Sequence, residues 1–247
     1  MNTIVNYAHR GASGYCPENT MAAFKKSLEL GATGIETDVQ MTKDGRLVLI
    51  HDESVQRTTG QSGEIKDLTY RQITELDAGS WYSSEFAGER IPTLGQLLDW
   101  IEPTGMMLNV ELKNNMEPYE GMEEKVIAAI RKRGLSQRVL ISSFNHYSLV
   151  ICKRIAPEIQ TAILYGENLF EPWKYARSIG ATALHPYYKF MNDRMVQQAA
   201  DQSVMYNPFT VNDPAEMREL IRMGVSGIIT DYPDRLHELL QTSTAGR

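Results

Sequence analysis

Four times along the chain an amphipathic segment ends on glycine, a few residues follow, and a β-branched run begins: LELGATGIET, RKRGLSQRVLIS, RSIGATALHP and IRMGVSGIIT. Glycine just past a helix supplies the left-handed residue that closes it. The run after it is short, apolar and without alternation, as a strand buried on both faces requires. Repetition of this unit alternates strands with helices and implies a parallel sheet. Candidate strands cover residues 4–8, 34–39, 47–50, 106–111, 138–143, 160–164, 182–185, 203–206 and 226–230. That is one run more than an eight-stranded barrel takes. The 47–50 run follows 34–39 through TKDG, too short for a parallel crossover. Lys-Asp-Gly is a turn signal, so these two runs read as a local hairpin. The rest read as an α/β fold, a (β/α)₈ TIM barrel in one domain over residues 1–247, a length that suits it. An open doubly wound sheet is the rival, but no G-x-G-x-x-G follows the first strand.

Helix starts fit between the strands. PENTMAAFKKSLELG offers Asn19 or Thr20 as a cap, with Phe24 and Leu28 on one face. VNDPAEMRELIRMG offers Asn212 or Asp213, with Pro214 in the first turn. Residues 53–92 break the rhythm: about forty residues rich in Ser, Thr, Gly and aromatics. A small insertion of this length reads as a lid or pocket wall. Residues 242–247, TSTAGR, read as a loose tail.

Lysine plus arginine total 25 against 31 for aspartate plus glutamate, a net charge of -6. This argues against non-specific nucleic-acid binding and leaves room for a local cationic pocket. Cys16 and Cys152 make no disulfide framework and read as reduced thiols. No apolar run approaches the ~18 residues of a membrane helix, and the N-terminus lacks the regions of a secretion signal. The chain reads as cytoplasmic, with no integral membrane segment; its oligomeric state is not legible.

In a parallel barrel the strand C-termini gather at one mouth, where active sites lie. The residues that end strands are therefore the candidates. Glu36 and Asp38, two apart on one strand, face the same way, and Glu111 ends another strand. Three carboxylates form an oxygen-only site for one hard divalent cation, Mg²⁺ or Ca²⁺. The plainer alternative makes them ion-pair partners of Lys113 and Arg10. His9 and His51 also end runs, and two imidazoles can divide acid and base work between a nucleophile and a leaving oxygen. Zinc is the rival use, but H-x-H and H-E-x-x-H are absent. Arg10 suits a bidentate grip on phosphate and Lys113 a point charge. With no G-x-x-x-x-G-K-[ST], the set reads as phosphoryl transfer without a bound nucleotide. His185 reads equally as pocket wall or core, His146 and His237 as surface, and Met106-Met107 as core. Asp231 is expected to orient an arginine at the mouth. Ser142-Ser143 lack a G-x-S-x-G elbow.

At these residues the chain resembles the glycerophosphodiester phosphodiesterase family. The resemblance lies in AHRGASGYCPENTMAAF, GIETDVQMTKDGRLVLIHDESVQRTTG, IPTLGQLLDWI and LNVELK, in order through nearly the whole chain. It implies metal ligation by Glu36, Asp38 and Glu111, an acid–base pair at His9 and His51, and phosphate contacts from Arg10 and Lys113. It implies a small-molecule glycerophosphodiester as substrate, split to glycerol 3-phosphate and an alcohol. Members often carry Trp in a W-T-V-N run; here it is NPFTVN, and Phe209 keeps an apolar wall without the indole donor. A lysophospholipase D-like activity and a non-catalytic glycerophosphodiester-binding protein are the rival functions.

Overall fold

The computed structural model describes residues 4–245. Along the chain run β1 (Val5–His9), α1 (Met21–Glu29), β2 (Gly34–Met41), β3 (Leu47–Leu49), α2 (Gln56–Thr59), α3 (Tyr70–Thr74), α4 (Leu94–Ile101), β4 (Met107–Leu112) and α5 (Met122–Arg131). There follow β5 (Val139–Ser143), α6 (His146–Ile155), β6 (Gln160–Tyr165), α7 (Pro172–Ser178), β7 (Ala183–Pro186), α8 (Asp193–Ala200), β8 (Met205–Tyr206), α9 (Pro214–Met223), β9 (Gly227–Thr230) and α10 (Pro233–Ala245).

Parallel pairing runs β9-β1-β2-β4-β5-β6-β7-β8. Backbone bonds from Ser226 N to Tyr206 O, 2.9 Å, and from Ile229 N to Pro208 O, 3.0 Å, draw β9 onto the β8 side and close the ring. The sheet is the expected (β/α)₈ barrel. Alternation along each strand sends one set of side chains outward to the helices. On β2 this set includes Ile35 and Val39, which pack in one layer with Phe24, Leu97, Leu98, Val126 and Ile127. Full burial of each large side chain contributes roughly 1.5–3 kcal/mol. The inward set is more polar, with Asn109, Ser142, His185 and Asn207 all buried.

The β2–β3 pair is the expected hairpin. Val39, Gln40 and Met41 pair antiparallel with Leu49, Val48 and Leu47. Gly45, at φ +76°, supplies the left-handed residue of the turn. Thus β2 overshoots the barrel rim, and β3 returns until Ile50 N bonds Asp38 O at 3.1 Å.

Four local expectations are corrected. Leu28 is 45% exposed; Ser27 takes the inner position on α1, donating to Ala23 O. Residues 242–245 extend α10 instead of forming a tail, and 246–247 lie outside the described residues. No residue of the 53–92 segment lines the cavity described below. The segment folds short helical turns over an apolar cluster of Val48, Ile50, Val55, Ile65, Ile73, Ala78 and Ile91. The last correction concerns Asp231 and belongs to the site.

Candidate active site

Strand register assembles the site. β1 sets His9 beside Glu36, and β4 sets Glu111 beside Asp38. Glu36, Asp38 and Glu111 are buried, and each offers an oxygen within 4.8 Å of the others. Burial, reinforced by Asp38 and Glu111, raises the Glu36 carboxyl well above its ordinary range. Burial and then Asp38 push Glu111 up to about 7. Burial raises Asp38 too, but Arg10, His51 and Lys113 outweigh it and hold that acid low. Two of the three acids thus resist ionisation, because burial and the neighbouring carboxylates outweigh Arg10 and Lys113. Asn109 Oδ1, buried and without a hydrogen-bond partner, belongs to a side chain lining the same cavity. An oxygen-only set with this excess of negative charge fits one hard divalent cation.

The two histidines are each held through Nδ1 by a carboxylate. His51 Nδ1 lies 2.7 Å from Asp52 Oδ1, and its Nε2 lies 3.2 Å from Lys113 Nζ. The hairpin return is what carries His51 back to Asp38 and the mouth. Burial lowers the His51 pKa; Asp38 opposes this, while Arg10 and Lys113 add to it. His9 Nδ1 lies 2.6 Å from Asp231 Oδ1, leaving Nε2 3.9 Å from Glu36. Asp231 therefore orients a histidine and not the arginine expected of it. It also accepts from Ser13 Oγ and, at 2.6 Å, from Asn212 Nδ2. Burial raises its pKa, yet its bond to His9, with Asn212 and Ser13, brings it down to about 2.

Arg10 lies in the left-handed region at φ +54°, uncommon for a residue with a side chain. Its amide donates to Glu36 Oε2 at 3.0 Å. Its guanidinium donates to Glu18 and lies 3.2 Å from Asp38, in ionic contact without hydrogen-bond alignment. Gly11, at φ +82°, lets this loop press on α1, where any Cβ would strike Ala23 at 2.7 Å. Lys113 Nζ donates to Glu111 at 3.0 Å. His9, Arg10, Glu36, His51, Glu111 and Lys113 line one cavity of about 140 Å³, with Phe144, Phe209 and Thr210 on its apolar side.

Behind these groups stands a layer the sequence reading missed. Arg57, from the insertion, donates to both Asp52 oxygens and both Glu18 oxygens at 2.7–3.0 Å. Asn19, at φ +55°, donates to Asp38 Oδ2 and accepts from Thr37 Oγ1. The adjacency of Asp52 to His51, and the acid and amide of PENT, were the available signals.

The profile of the Glycerophosphoryl diester phosphodiesterase family matches residues 9–235. The chain belongs to that family. A glycerophosphodiester phosphodiesterase of Caldanaerobacter subterraneus subsp. tengcongensis is 47% identical over 98% of this chain and 99% of its own. One of Bacillus altitudinis is 42% identical over 93% and 95%. Among solved structures, an Oleispira antarctica phosphodiesterase in complex with the product sn-glycerol-3-phosphate superposes with a TM-score of 0.86. It is 32% identical, over 97% of each chain. As a member of the glycerophosphoryl diester phosphodiesterase family the chain is an enzyme, a phosphoric diester hydrolase.

The remaining candidates do not line this cavity. His185 is fully buried on β7, where Asn207 Nδ2 donates to its Nε2. His146, expected at the surface, is half-buried with both ring nitrogens engaged, by Tyr175 Oη and Leu164 O. His237 is also half-buried, its ring against Gly31. Cys16 and Cys152 are free and buried. No helix among the described residues is long and apolar enough to cross a membrane.

Proposed function

We propose that the chain hydrolyses glycerophosphodiesters to glycerol 3-phosphate and an alcohol, using one divalent cation, Mg²⁺ or Ca²⁺, at Glu36, Asp38 and Glu111. His9 and His51 act as its acid and base. The observation that carries this reading is a single cavity lined by two of those carboxylates, with Asp38 beside them, together with two carboxylate-held imidazoles, Arg10 and Lys113. The product bound by the Oleispira antarctica relative supports the substrate class.

A cation at the acid cluster supplies charge that offsets the phosphoryl group's developing negative charge. Arg10 and Lys113 grip phosphate oxygens beside it, and Phe209 walls the alcohol side. Both histidines keep Nδ1 on a carboxylate, which leaves Nε2 for proton transfer. Their carboxylates are not equivalent. Asp52 is neutralised by Arg57, whereas Asp231 has only neutral partners besides His9. Asp231 thus keeps its charge facing His9, which protonates the leaving oxygen. His51, beside Lys113, takes the proton of the nucleophile. With water as nucleophile, its oxygen bonds to phosphorus and the phosphorus–alcohol bond breaks. One proton passes to His51 and another leaves His9 with the alcohol. With the glycerol 2-hydroxyl as nucleophile a cyclic phosphate forms first, which phosphorus NMR during turnover detects.

A panel of glycerophosphodiesters, assayed for glycerol 3-phosphate with and without chelator, tests the reaction. The histidine assignment is read with a p-nitrophenyl diester of glycerol 3-phosphate, whose leaving group needs no acid. His9→Ala should keep most activity on it and His51→Ala should not; the reverse pattern exchanges the roles, and near-normal activity of both on ordinary diesters removes them.

A further inference from the structure

A second hollow adjoins the site's cavity along its apolar wall. Phe144 and Leu164 also line a neighbouring groove of about 440 Å³, at the ends of β5 and β6 and the start of α7. Its other lining residues include Tyr165, Phe170 and Tyr175. Phe170 is 91% exposed and Tyr175 42%, a large aromatic surface to leave in water beside an active site. The groove has one formal charge. Glu167 lines it and makes no ion pair with a basic side chain among the described residues, while the nearby Glu171 is neutralised by Lys174. His146, also in the wall, donates from Nε2 to Leu164 O, and its Nδ1 meets the Tyr175 hydroxyl at 3.1 Å, so both groups already have partners.

We propose that this groove receives the leaving alcohol and selects a quaternary ammonium alcohol such as choline. The proposal rests on the hydrolysis proposed above, since the groove shares the Phe144 and Leu164 wall with that cavity. Aromatic faces with one carboxylate attract a diffuse cation that asks for no hydrogen bonds. A polyol such as inositol or glycerol needs donors and acceptors, which these walls scarcely offer. A fatty acyl chain would cover the rings but leave Glu167 unanswered. In a choline ester the nitrogen stands two carbons from the ester oxygen, a short span from the phosphate to the shared Phe144 wall.

Three substrates decide it in the metal-loaded enzyme: glycerophosphocholine, glycerophosphoglycerol and lysophosphatidylcholine. Wild type should prefer the first. Glu167→Gln and Phe170→Ala, both at exposed positions, should each raise its KM about tenfold and leave glycerophosphoglycerol unchanged. Equal losses on both diesters, no loss on either, or a preference for the lysolipid would overturn the choline assignment. If no diester is turned over, the hydrolysis itself is at fault. Choline titrated into wild type and Glu167→Gln by NMR then judges the groove independently: weaker binding in the variant supports it, and equal binding overturns it.

Discussion

Asp231→Asn isolates the support beneath His9. The carboxylate serves two sides at once: Oδ1 faces His9 and Ser13, and Oδ2 faces Asn212 Nδ2. An amide offers an acceptor to only one. Asn212 cannot rotate to help, because its Oδ1 already accepts from the Asp231 amide at 3.0 Å and the Thr230 hydroxyl at 3.2 Å. The new NH₂ therefore opposes either Asn212 or His9 Nδ1. Either way a charge-assisted bond worth about 1.5–3 kcal/mol is lost, or about one to two orders of magnitude in kcat if felt in the transition state. KM should move little, because Asp231 does not line the cavity. Asp231→Asn combined with Asn212→Asp restores the pattern: the carboxylate at 212 accepts the new NH₂, and the amide carbonyl faces His9. The double variant should regain the imidazole's tautomer without the full charge, and so recover part of kcat. Steady-state kinetics on glycerophosphocholine, with circular dichroism to confirm folding, measure this. A single variant at wild-type rate, or a double variant no better than the single, would refute the reasoning.

Chelation should abolish activity, Mg²⁺ or Ca²⁺ should restore it, and either ion should raise Tm; a metal-free preparation with full activity would remove the acid cluster from the reaction. Arg57→Ala should lower kcat about tenfold without unfolding the chain, since it frees Asp52 and Glu18 from a charge-assisted clamp; Arg57→Lys should recover only part. His185 makes stability pH-dependent. Burial lowers its pKa from 6.5 to about 3, so between these values the unfolded chain holds the extra proton. Its contribution is complete above pH 6.5 and lost as pH falls toward 3, by about 2 kcal/mol at pH 5. Denaturant titrations at pH 7.5 and 5 should show this fall in wild type and less of it in His185→Gln.

The barrel was legible because its signal is repeated: glycine-closed helices before unalternating apolar runs. The primary site was legible because the residues that end strands must meet at one mouth. What escaped were residues whose short-range reading competed with a long-range one. Asn19 and Asn212 each stood next to the true cap, Thr20 and Asp213. Both asparagines instead reach carboxylates at the end of the neighbouring strand, Asp38 and Asp231. An amide beside a helix start carries no mark of that choice. Asp231 was placed at the mouth correctly, but its partner lies 222 residues away, and sequence offers histidine and arginine equally. The aromatic groove draws on positions from 144 to 175 that share no motif.

The β2–β3 hairpin makes this stretch of chain intolerant of changes in length. One strand pairs with β1 and β4 on its flanks while its far end sets where β3 lands. Because side chains alternate with period two, a one-residue deletion before Glu36 would turn both acids toward the helices. A one-residue insertion in the turn would leave the acids in place and carry His51 out of register with Asp38. Gene variation in this family should therefore spare this hairpin and concentrate its insertions and deletions after Asp52, where the hairpin has already placed Glu36, Asp38 and His51.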